Sequence, residues 1–243
     1  MSQLKLITFD LDNTLWPVDT VIRRANAVCD QWLAEHHPDA ARAMPPEQLA
    51  RWREQAVRDN PSLLSNLTAL RKTVLMRGFE AAGYRHDEAQ RLANEAFDVF
   101  HDARNQVQLF PGARQLLEAL AEHYIIGALT NGNADLEKIG LGHLFAFHHS
   151  SESVGQRKPA PDMFHAALKS ADVNAGSALH VGDHPHEDVH AARSHGLHAV
   201  WANLLEQPWP DSLPPHQHQI RQLEELPDLL HSFDPGQPVT PDT

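Results

Sequence analysis

The chain has 243 residues, 42% of them hydrophobic and 21% charged, which is enough for one large globular domain or two smaller ones. Its formal net charge of −12 argues against nucleic acid or an anionic membrane as a partner, because both bind clustered lysine and arginine. No apolar stretch reaches the ~20 residues that a membrane span needs. Cys29 is the only cysteine, which excludes an intrachain disulfide. The amino terminus lacks the long apolar region of a signal peptide, so we expect a cytoplasmic protein.

Two aspartates follow the first apolar run of the chain. The run Leu4–Phe9 has the composition of a buried strand, and Asp10 and Asp12 come directly after it. In extended backbone this spacing places both carboxylates on one face, at the strand end where open α/β sheets bind ligands. Like charges this close repel, so a bound cation or a shared proton would account for the pair. A turn in which the aspartates serve only the backbone is the alternative.

A helical module is predicted over residues 17–107, with no strand inside it. Apolar residues recur at helical spacing over four segments, at about 18–33, 45–57, 64–83 and 87–100. Pro38 is expected to close the first of these helices. A helical stretch of this length after a single strand indicates a module inserted into another domain.

Strands and helices alternate from Pro111 onward. Further strands are predicted at about 124–129, 145–148, 178–181 and 197–201, with helices at about 113–123, 162–170 and 188–194 and a last strand and helix within 219–230. This alternation is typical of an α/β fold with a doubly wound parallel sheet. We therefore expect a core formed by residues 1–16 and 108–233, the helical insert at 17–107, and a disordered tail at 234–243.

Three later segments place polar side chains at predicted strand ends. Thr130 and Asn131 offer a hydroxyl and backbone N–H groups, which suit a phosphate oxygen. Lys158 precedes a proline, and a lysine held in a stiff turn can balance carboxylates and phosphate as a point charge. Asp183 follows the strand at 178–181, and Asp188 lies near a helix start. Taken singly, these segments are also compatible with a polar turn, a solvated lysine and a helix-capping acid.

The order of these motifs resembles the haloacid dehalogenase superfamily of phosphotransferases. The order is Asp-x-Asp-x-Thr, an apolar strand ending in Thr-Asn-Gly, Lys-Pro, and Gly-Asp-x4-Asp, and the resemblance covers about residues 4–232. The helical insert after the first motif resembles the C1 cap of that superfamily. The resemblance implies an α/β fold class, with a Rossmann-like doubly wound parallel sheet and an inserted all-helical C1 cap domain.

The resemblance also implies a catalytic role for each motif residue. Asp10 would attack phosphorus and form an aspartyl-phosphate, and Asp12 would protonate the leaving alcohol and later deprotonate water. Lys158 would orient Asp10, offset its charge and take part in binding the substrate phosphate. Thr130 and the Asn131 amide would hold the phosphoryl oxygens.

Mg²⁺ is the cofactor that the resemblance implies. The side chains of Asp10 and Asp183 and the main-chain carbonyl of Asp12 would bind it, with support from Asp188, as an all-oxygen ligand set suited to a hard cation. His184 departs from the family, where a small hydroxyl residue is common at this position. Together with further histidines it leaves zinc as an alternative; these are His180, His186 and His190.

The function implied is hydrolysis of phosphate monoesters, with a small phosphorylated metabolite as substrate. The segments 129–145 and 180–192 are similar to the bacterial branch that includes flavin mononucleotide phosphatases. A sugar phosphomutase is the main alternative. A 2-haloacid dehalogenase is less favoured, because a halide leaving group needs no proton from Asp12. A non-catalytic binding protein is disfavoured because no catalytic position is lost.

Overall fold

The computed structural model describes residues 3–233, so the tail predicted at 234–243 lies outside the described residues. The described chain forms two compact units. One contains the residues up to Pro17 and those from Gln108 on, and the other is Val18–Val107. In the described residues, no helix is both long and apolar enough to cross a membrane.

A six-stranded parallel sheet forms the centre of the first unit, in the order β3-β2-β1-β4-β5-β6. The strands are β1 Leu6–Phe9, β2 Ile125–Thr130, β3 Phe147–Ser150, β4 Ala178–Gly182, β5 His198–Ala202 and β6 Gln219–Ile220. Helices lie on both sides of the sheet, which confirms the predicted fold class. The chain moves outward in one direction from β1 to β3 and in the other from β4 to β6, so the strand order reverses beside β1. Sheets of this kind bind ligands at that reversal point.

The first strand is central and buried on both faces. Leu6 of β1 pairs with Ile125 of β2 and with Ala178 of β4. Burial on both faces explains why β1 is almost continuously apolar instead of alternating. Thr8 is the one polar residue of the strand, and it is fully buried. Because parallel strands end at the same edge, the residues that follow β1, β2 and β4 meet there.

The helices of this unit differ from the prediction mainly after β4. They are α6 Ala113–Ala121, α7 Leu136–Ile139, α8 Ser151–Val154, α9 Asp162–Ala171, α10 Ala191–Ser194 and α11 Leu226–Leu230. The helix expected from Asp188 begins three residues earlier, as a π-helical turn over Pro185–His190 that leads into α10. His184 caps this turn, because its Nδ1 accepts hydrogen bonds from the backbone N–H groups of His186 and Glu187. The turn therefore encloses Asp188, which is buried.

The second unit contains five described α-helices, where four were predicted. They are α1 Val18–His36, α2 Pro38–Ala43, α3 Pro46–Asp59, α4 Leu67–Ala81 and α5 His86–Arg104. Pro38 begins the short helix α2, because proline is tolerated at the first helical position, which needs no N–H partner. The helix expected from residue 64 begins at Leu67, where the Asn66 side chain accepts from the Ala69 N–H at 2.7 Å. The core of this unit is apolar and joins α1, α2, α4 and α5.

The close approach of β2 and β3 predicts that a larger side chain at Gly127 would destabilise the protein. Gly127 of β2 pairs with Phe147 of β3, and a Cβ atom at residue 127 would overlap the Phe147 ring. We expect Gly127→Ala to lower the free energy of unfolding by about 1–3 kcal/mol, because overpacking forces neighbouring groups to move. Urea denaturation measures the change. Adding Phe147→Leu to Gly127→Ala should recover part of the loss, with Phe147→Leu alone as the control. Equal stability of Gly127→Ala and the parent chain would contradict this packing.

Candidate active site

The loop after β1 holds two carboxylates in fixed positions. The backbone N–H of Asp10 donates to Val181 of β4 at 2.9 Å, which extends the sheet pairing by one residue. Asn13 adopts a left-handed conformation with φ of 63°, so the chain reverses directly after Asp12. Trp16, fully buried, then donates its indole N–H to Oδ1 of Asp12 at 2.7 Å. Asp10 and Asp12 therefore project from a tight loop at the carboxyl edge of the sheet.

Lys158 lies in the interior of the site and uses all of its N–H groups. Its Nζ donates to Oδ1 of Asp10 at 2.7 Å, to Oδ1 of Asp188 at 2.6 Å and to the carbonyl of Leu129 at 2.7 Å. Only 1% of the residue is exposed. Burial alone would lower the pKa of this lysine, but Asp10 and Asp188 raise it above its ordinary value. Lys158 is therefore charged and bridges two carboxylates.

Three carboxylates converge beside this lysine. Asp10, Asp183 and Asp188 each present an oxygen within 4.8 Å of the others. Burial raises the pKa of Asp10 well above its ordinary value, although Lys158 opposes the shift. Burial, and then repulsion from Asp188, raises the pKa of Asp183 to about 7. Burial is the largest cause of both shifts, and repulsion from the neighbouring carboxylates adds to it.

A divalent cation fits this arrangement. The donor set is entirely oxygen and carries three potential negative charges against the single charge of Lys158. Hard cations such as Mg²⁺ prefer carboxylate and carbonyl oxygens. The side chain of Asp12 is not part of the converging set, and the resemblance assigns only its main-chain carbonyl to the metal.

Asp188 is held more tightly than the other two carboxylates. Its Oδ1 accepts from Lys158 and, at 3.1 Å, from Nε2 of His180, while its Oδ2 accepts from the His184 N–H at 2.9 Å. Burial would raise the pKa of Asp188, but Lys158 and His180 outweigh it and lower the pKa below its ordinary range. A Cβ atom at Gly182 would overlap the Asp188 side chain, so glycine permits this close approach. This anchoring suits Asp188 for support of the site.

Thr130 is the last residue of β2 and Asn131 follows it, but their side chains differ in how far protein groups occupy them. The Thr130 hydroxyl accepts from the Gly132 N–H at 2.9 Å and can still donate its own hydrogen to a phosphate oxygen. The Asn131 side chain is committed to protein groups. It donates to the Lys158 carbonyl at 3.0 Å and to Glu187 at 2.8 Å, and accepts from the Lys158 N–H at 2.7 Å. A phosphate contact at Asn131 therefore belongs to its backbone N–H.

All seven residues predicted from the sequence line one cleft of about 170 Å³. They are Asp10, Asp12, Thr130, Asn131, Lys158, Asp183 and Asp188, and the cleft is completed by Asn13, Gly132, His184 and Glu187. The sheet thus brings together every segment that the motif order singled out, although these segments span most of the chain.

Three residues that the sequence reasoning did not assign also organise the cleft. Trp16 orients Asp12, as described above. Glu187 accepts from Asn131 and, at 3.1 Å, from Arg157, so it joins three loops of the cleft. Trp201 of β5 donates its indole N–H to the Asp183 carbonyl at 2.7 Å. The sequence offers no signal for the last two, because each bond joins residues distant in the chain.

The histidines near the cleft do not converge on a metal position. His180 is buried between Thr8 and Asp188, and Nδ1 of His184 is used by its own turn. The rings of His186 and His190 stack on each other, 5.9 Å apart. Across residues 3–233, the only group of at least three potential ligand side chains that could share one ion is the carboxylate cluster.

A family model for haloacid dehalogenase-like hydrolases matches residues 4–196, a stretch that includes every residue of this cleft. The chain belongs to this family. The superfamily predicted from the motif order is therefore confirmed.

Two curated relatives of this hydrolase are phosphatases. A 5-amino-6-(5-phospho-D-ribitylamino)uracil phosphatase, YigB, from Escherichia coli K12 is 33% identical over 95% of this chain and 98% of its own. A phosphoglycolate phosphatase from Pseudomonas fluorescens is 30% identical over 81% of this chain and 68% of its own. These relatives agree with the predicted phosphatase class.

A similar solved structure has a different description. A protein from Pseudomonas syringae pv. tomato DC3000, described as a 2-haloacid dehalogenase, is 42% identical to this hydrolase and superposes with a TM-score of 0.90. The match covers 95% of this chain and all of the other. The two descriptions, phosphatase and dehalogenase, differ in the chemistry of the leaving group.

The raised pKa of Asp183 predicts how pH changes the effect of Mg²⁺ on stability. Between its ordinary value of 3.8 and its pKa of about 7, the folded state holds a proton that the unfolded chain has released. The metal-free protein should therefore lose stability as pH rises through this range. Mg²⁺ replaces the proton, so it should raise the melting temperature more at about pH 8 than at about pH 5.5.

Thermal unfolding with and without Mg²⁺ measures this difference. Asp183→Asn should reduce the pH dependence of the Mg²⁺ effect, whereas the exposed Asp211→Asn should leave it unchanged. Equal Mg²⁺ effects at both pH values would contradict the assignment of Asp183.

Proposed function

We propose that this hydrolase is a Mg²⁺-dependent phosphomonoesterase that acts on a small phosphorylated metabolite through an aspartyl-phosphate intermediate. The observation that carries the proposal is the fixed second aspartate. Trp16 holds Asp12 at 2.7 Å, next to an Asp10 that is bonded to Lys158. A carboxyl group placed beside a nucleophile serves reactions whose leaving group must be protonated.

Asp10 is the nucleophile of the proposed reaction. One of its carboxylate oxygens attacks phosphorus, the bond from phosphorus to the ester oxygen breaks, and the phosphoryl group is held on Asp10. Lys158 keeps the carboxylate oriented and offsets its charge. The hydroxyl of Thr130 and the backbone N–H of Asn131 bind the phosphoryl oxygens, while the ammonium of Lys158, whose N–H groups are bonded to protein oxygens, acts on the shifting charge as a point charge.

Asp12 moves the proton in both halves of the reaction. In its protonated form it donates to the departing alkoxide, which leaves as the alcohol. The resulting carboxylate then takes a proton from water as the water oxygen attacks the phosphorus of the aspartyl-phosphate. Inorganic phosphate is released and Asp10 is regenerated.

The metal is assigned to the carboxylates that converge in the cleft. The side chains of Asp10 and Asp183 and the main-chain carbonyl of Asp12 would hold Mg²⁺, with Asp188 in support. When bound, the ion supplies the positive charge that lets an anionic nucleophile approach a phosphate dianion. Residues 17–107 are assigned as the C1 cap, and residues 1–16 and 108–233 as the core.

Substitution of the two aspartates tests this mechanism. Asp10→Asn should reduce kcat for p-nitrophenyl phosphate by at least about 10³-fold, because the amide is a poor nucleophile. Asp12→Asn should lower turnover of an alkyl phosphate by about 10²–10⁴-fold, since general acid–base catalysis is lost. With p-nitrophenyl phosphate, whose leaving group needs no proton, Asp12→Asn should still release one burst of p-nitrophenol. Steady-state and rapid-quench assays with Mg²⁺ measure these effects.

The exposed Asp39→Asn is the matched control for the charge change and should retain parental activity. Full hydrolysis by Asp10→Asn would end the proposal. Asp12→Asn still contains Asp10. If this variant releases no burst of p-nitrophenol, the result would contradict the proton-transfer role of Asp12.

Dehalogenation is the second candidate, favoured by the description of the 42% identical structure. A halide leaves without taking up a proton, and its departure needs no Mg²⁺. Dehalogenation would therefore give no role to Asp12 or to the excess negative charge of the three converging carboxylates. The discriminating assay is chloride release from 2-chloropropionate in EDTA. Chloride release that survives both EDTA and Asp12→Asn would replace the phosphatase proposal. Conversion of glucose 1-phosphate to glucose 6-phosphate without release of phosphate would indicate a mutase instead.

The proposed substrate class is a compound with a 5-phosphoribityl chain. The Escherichia coli relative, which matches this chain over nearly its full length, is named for such a compound. Flavin mononucleotide, the substrate indicated by the segments 129–145 and 180–192, carries the same phosphorylated ribityl chain on a larger ring. Both observations therefore agree on the group next to the phosphate and differ on the ring.

A substrate panel separates these possibilities. With Mg²⁺ present, kcat/KM should be at least about tenfold higher for the two ribityl phosphates than for glucose 6-phosphate or phosphoglycolate, because a site selects by contacts beyond the phosphate. The ratio between the aminouracil compound and flavin mononucleotide identifies the preferred ring. Equal rates across the panel would contradict a ribityl-specific enzyme.

A further inference from the structure

One buried, titratable side chain beside the cleft has no part in the mechanism above. His180 lies in β4, is fully buried, and pairs in register with Thr8 of β1. The ring of Phe164 contacts it edge-on, with centroids 5.3 Å apart. Burying an imidazole is costly unless its nitrogens are hydrogen-bonded, so both ring nitrogens need partners.

Both nitrogens of His180 have a partner within hydrogen-bonding distance. Nε2 lies 3.1 Å from Oδ1 of Asp188, and Nδ1 lies 2.9 Å from the hydroxyl of Thr8. The Asp188 carboxylate can only accept, so the hydrogen must be on Nε2. The ring is fully buried against Phe164, and such an environment favours its neutral form. The Thr8 hydroxyl lies 3.3 Å from the Leu179 carbonyl and 2.9 Å from Nδ1, so its one hydrogen favours the nearer Nδ1, which is then the acceptor.

This pair of bonds continues into the catalytic groups. The same Oδ1 of Asp188 that accepts from His180 also accepts from Lys158 at 2.6 Å. Lys158 in turn donates to Oδ1 of Asp10 at 2.7 Å. A continuous series of hydrogen bonds therefore runs from Thr8 through His180, Asp188 and Lys158 to the proposed nucleophile.

The donor supplied by His180 adds a third hydrogen bond to a carboxylate that also accepts from Lys158 and from the His184 N–H. Without it, Oδ1 of Asp188 would keep only its bond to Lys158, and Oδ2 would keep its bond to the His184 N–H. The carboxylate could then rotate toward the lysine and draw the ammonium away from Asp10. Groups that hold a catalytic or metal-binding residue from behind commonly contribute to activity in this way.

We propose that His180 is a positioning residue: with Thr8, it orients the Asp188 carboxylate so that Lys158 stays in contact with Asp10. This inference rests on the proposed phosphatase function. His180 is fully buried, is not among the residues that line the cleft, and would act through Asp188.

Two substitutions at His180 separate a donor role from simple packing. His180→Leu keeps an apolar group of similar size but removes both hydrogen bonds, and it should lower kcat for p-nitrophenyl phosphate by about 10–100-fold. KM should stay within about twofold, because phosphate binding is not removed. His180→Gln retains an N–H that can reach Asp188 and should recover most of kcat. His149→Leu, in β3 and bonded to Ser170, is the matched control.

A double-substitution cycle tests whether His180 acts through Asp188. In an Asp188→Asn background, His180→Leu should cause no further loss of kcat, since the carboxylate it orients is gone. The same loss in both backgrounds, or a kcat for His180→Leu within about twofold of the parent, would overturn the proposal. Poor recovery by a folded His180→Gln would also overturn it. If His180→Leu does not fold, Thr8→Val provides the same comparison and should lower kcat with KM unchanged.

A spectroscopic measurement tests the arrangement independently of activity. Heteronuclear NMR of the imidazole nitrogens, assigned by comparison with His180→Gln, should show His180 as the neutral Nε2–H form in the parent protein. An Nδ1–H form would overturn the inference. If the parent protein hydrolyses no phosphate ester, the proposed function fails, whereas an Nε2–H signal would show that the hydrogen-bonded series itself is present.

Discussion

The ammonium group of Lys158 is the interaction on which the site depends. Two like charges about 4 Å apart repel by roughly 4 kcal/mol at an effective dielectric near 20, and three carboxylates meet in this cleft. Buried charges persist only where they are paired and hydrogen-bonded. Lys158 meets this condition for Asp10 and Asp188 at once, while the carbonyl of Leu129 takes its remaining hydrogen. Asp183 receives no hydrogen bond from the lysine, and its pKa stays raised, at about 7. A divalent cation bound to this carboxylate would lower that pKa.

The parallel sheet provides the positions that this pairing requires. β1 is central, so the residues after it lie between those that follow β2 and those that follow β4. Thr130 and Asn131 thus line the cleft from the side of β2, and Asp183 lines it from the side of β4. Side chains then hold the loops against each other. Asn131, in the loop after β2, is bonded to the backbone of Lys158 and to the side chain of Glu187, which lies in the loop after β4. Such bracing holds the loops that carry Asn131, Lys158 and Glu187 in fixed relative positions.

The chemistry follows from which carboxylates are restrained and how. Asp188 is bonded through both oxygens, Asp10 is bonded to Lys158, and Asp12 is oriented by the indole of Trp16. In the proposed reaction, a carboxyl group beside the nucleophile protonates an alcohol leaving group, whereas a halide leaving group needs no proton. That contrast gives a chemical reason to favour the phosphatase relatives over the dehalogenase description.

The sequence alone determined the fold class and seven of the residues that line the cleft. Apolar runs mark the buried parallel strands, and the polar residues directly after them must lie at one edge of the sheet. Asp10 and Asp183 could therefore be predicted as neighbours although 173 positions separate them, whereas Lys158, in the loop after α8, was placed by the order of the motifs. Helix boundaries were less well determined, because Pro38 is equally suited to ending one helix and starting the next.

The tertiary structure decided what each side chain bonds to. It committed the Asn131 side chain to the loop of Lys158, and it assigned Trp16 to Asp12, Trp201 to the Asp183 carbonyl and His180 to Asp188. Most of these bonds join residues that are distant in the chain and leave no periodic pattern in the sequence. A strand pattern specifies which face and which edge a residue occupies, whereas the choice of hydrogen-bond partner depends on distances that exist only after the strands and loops have packed.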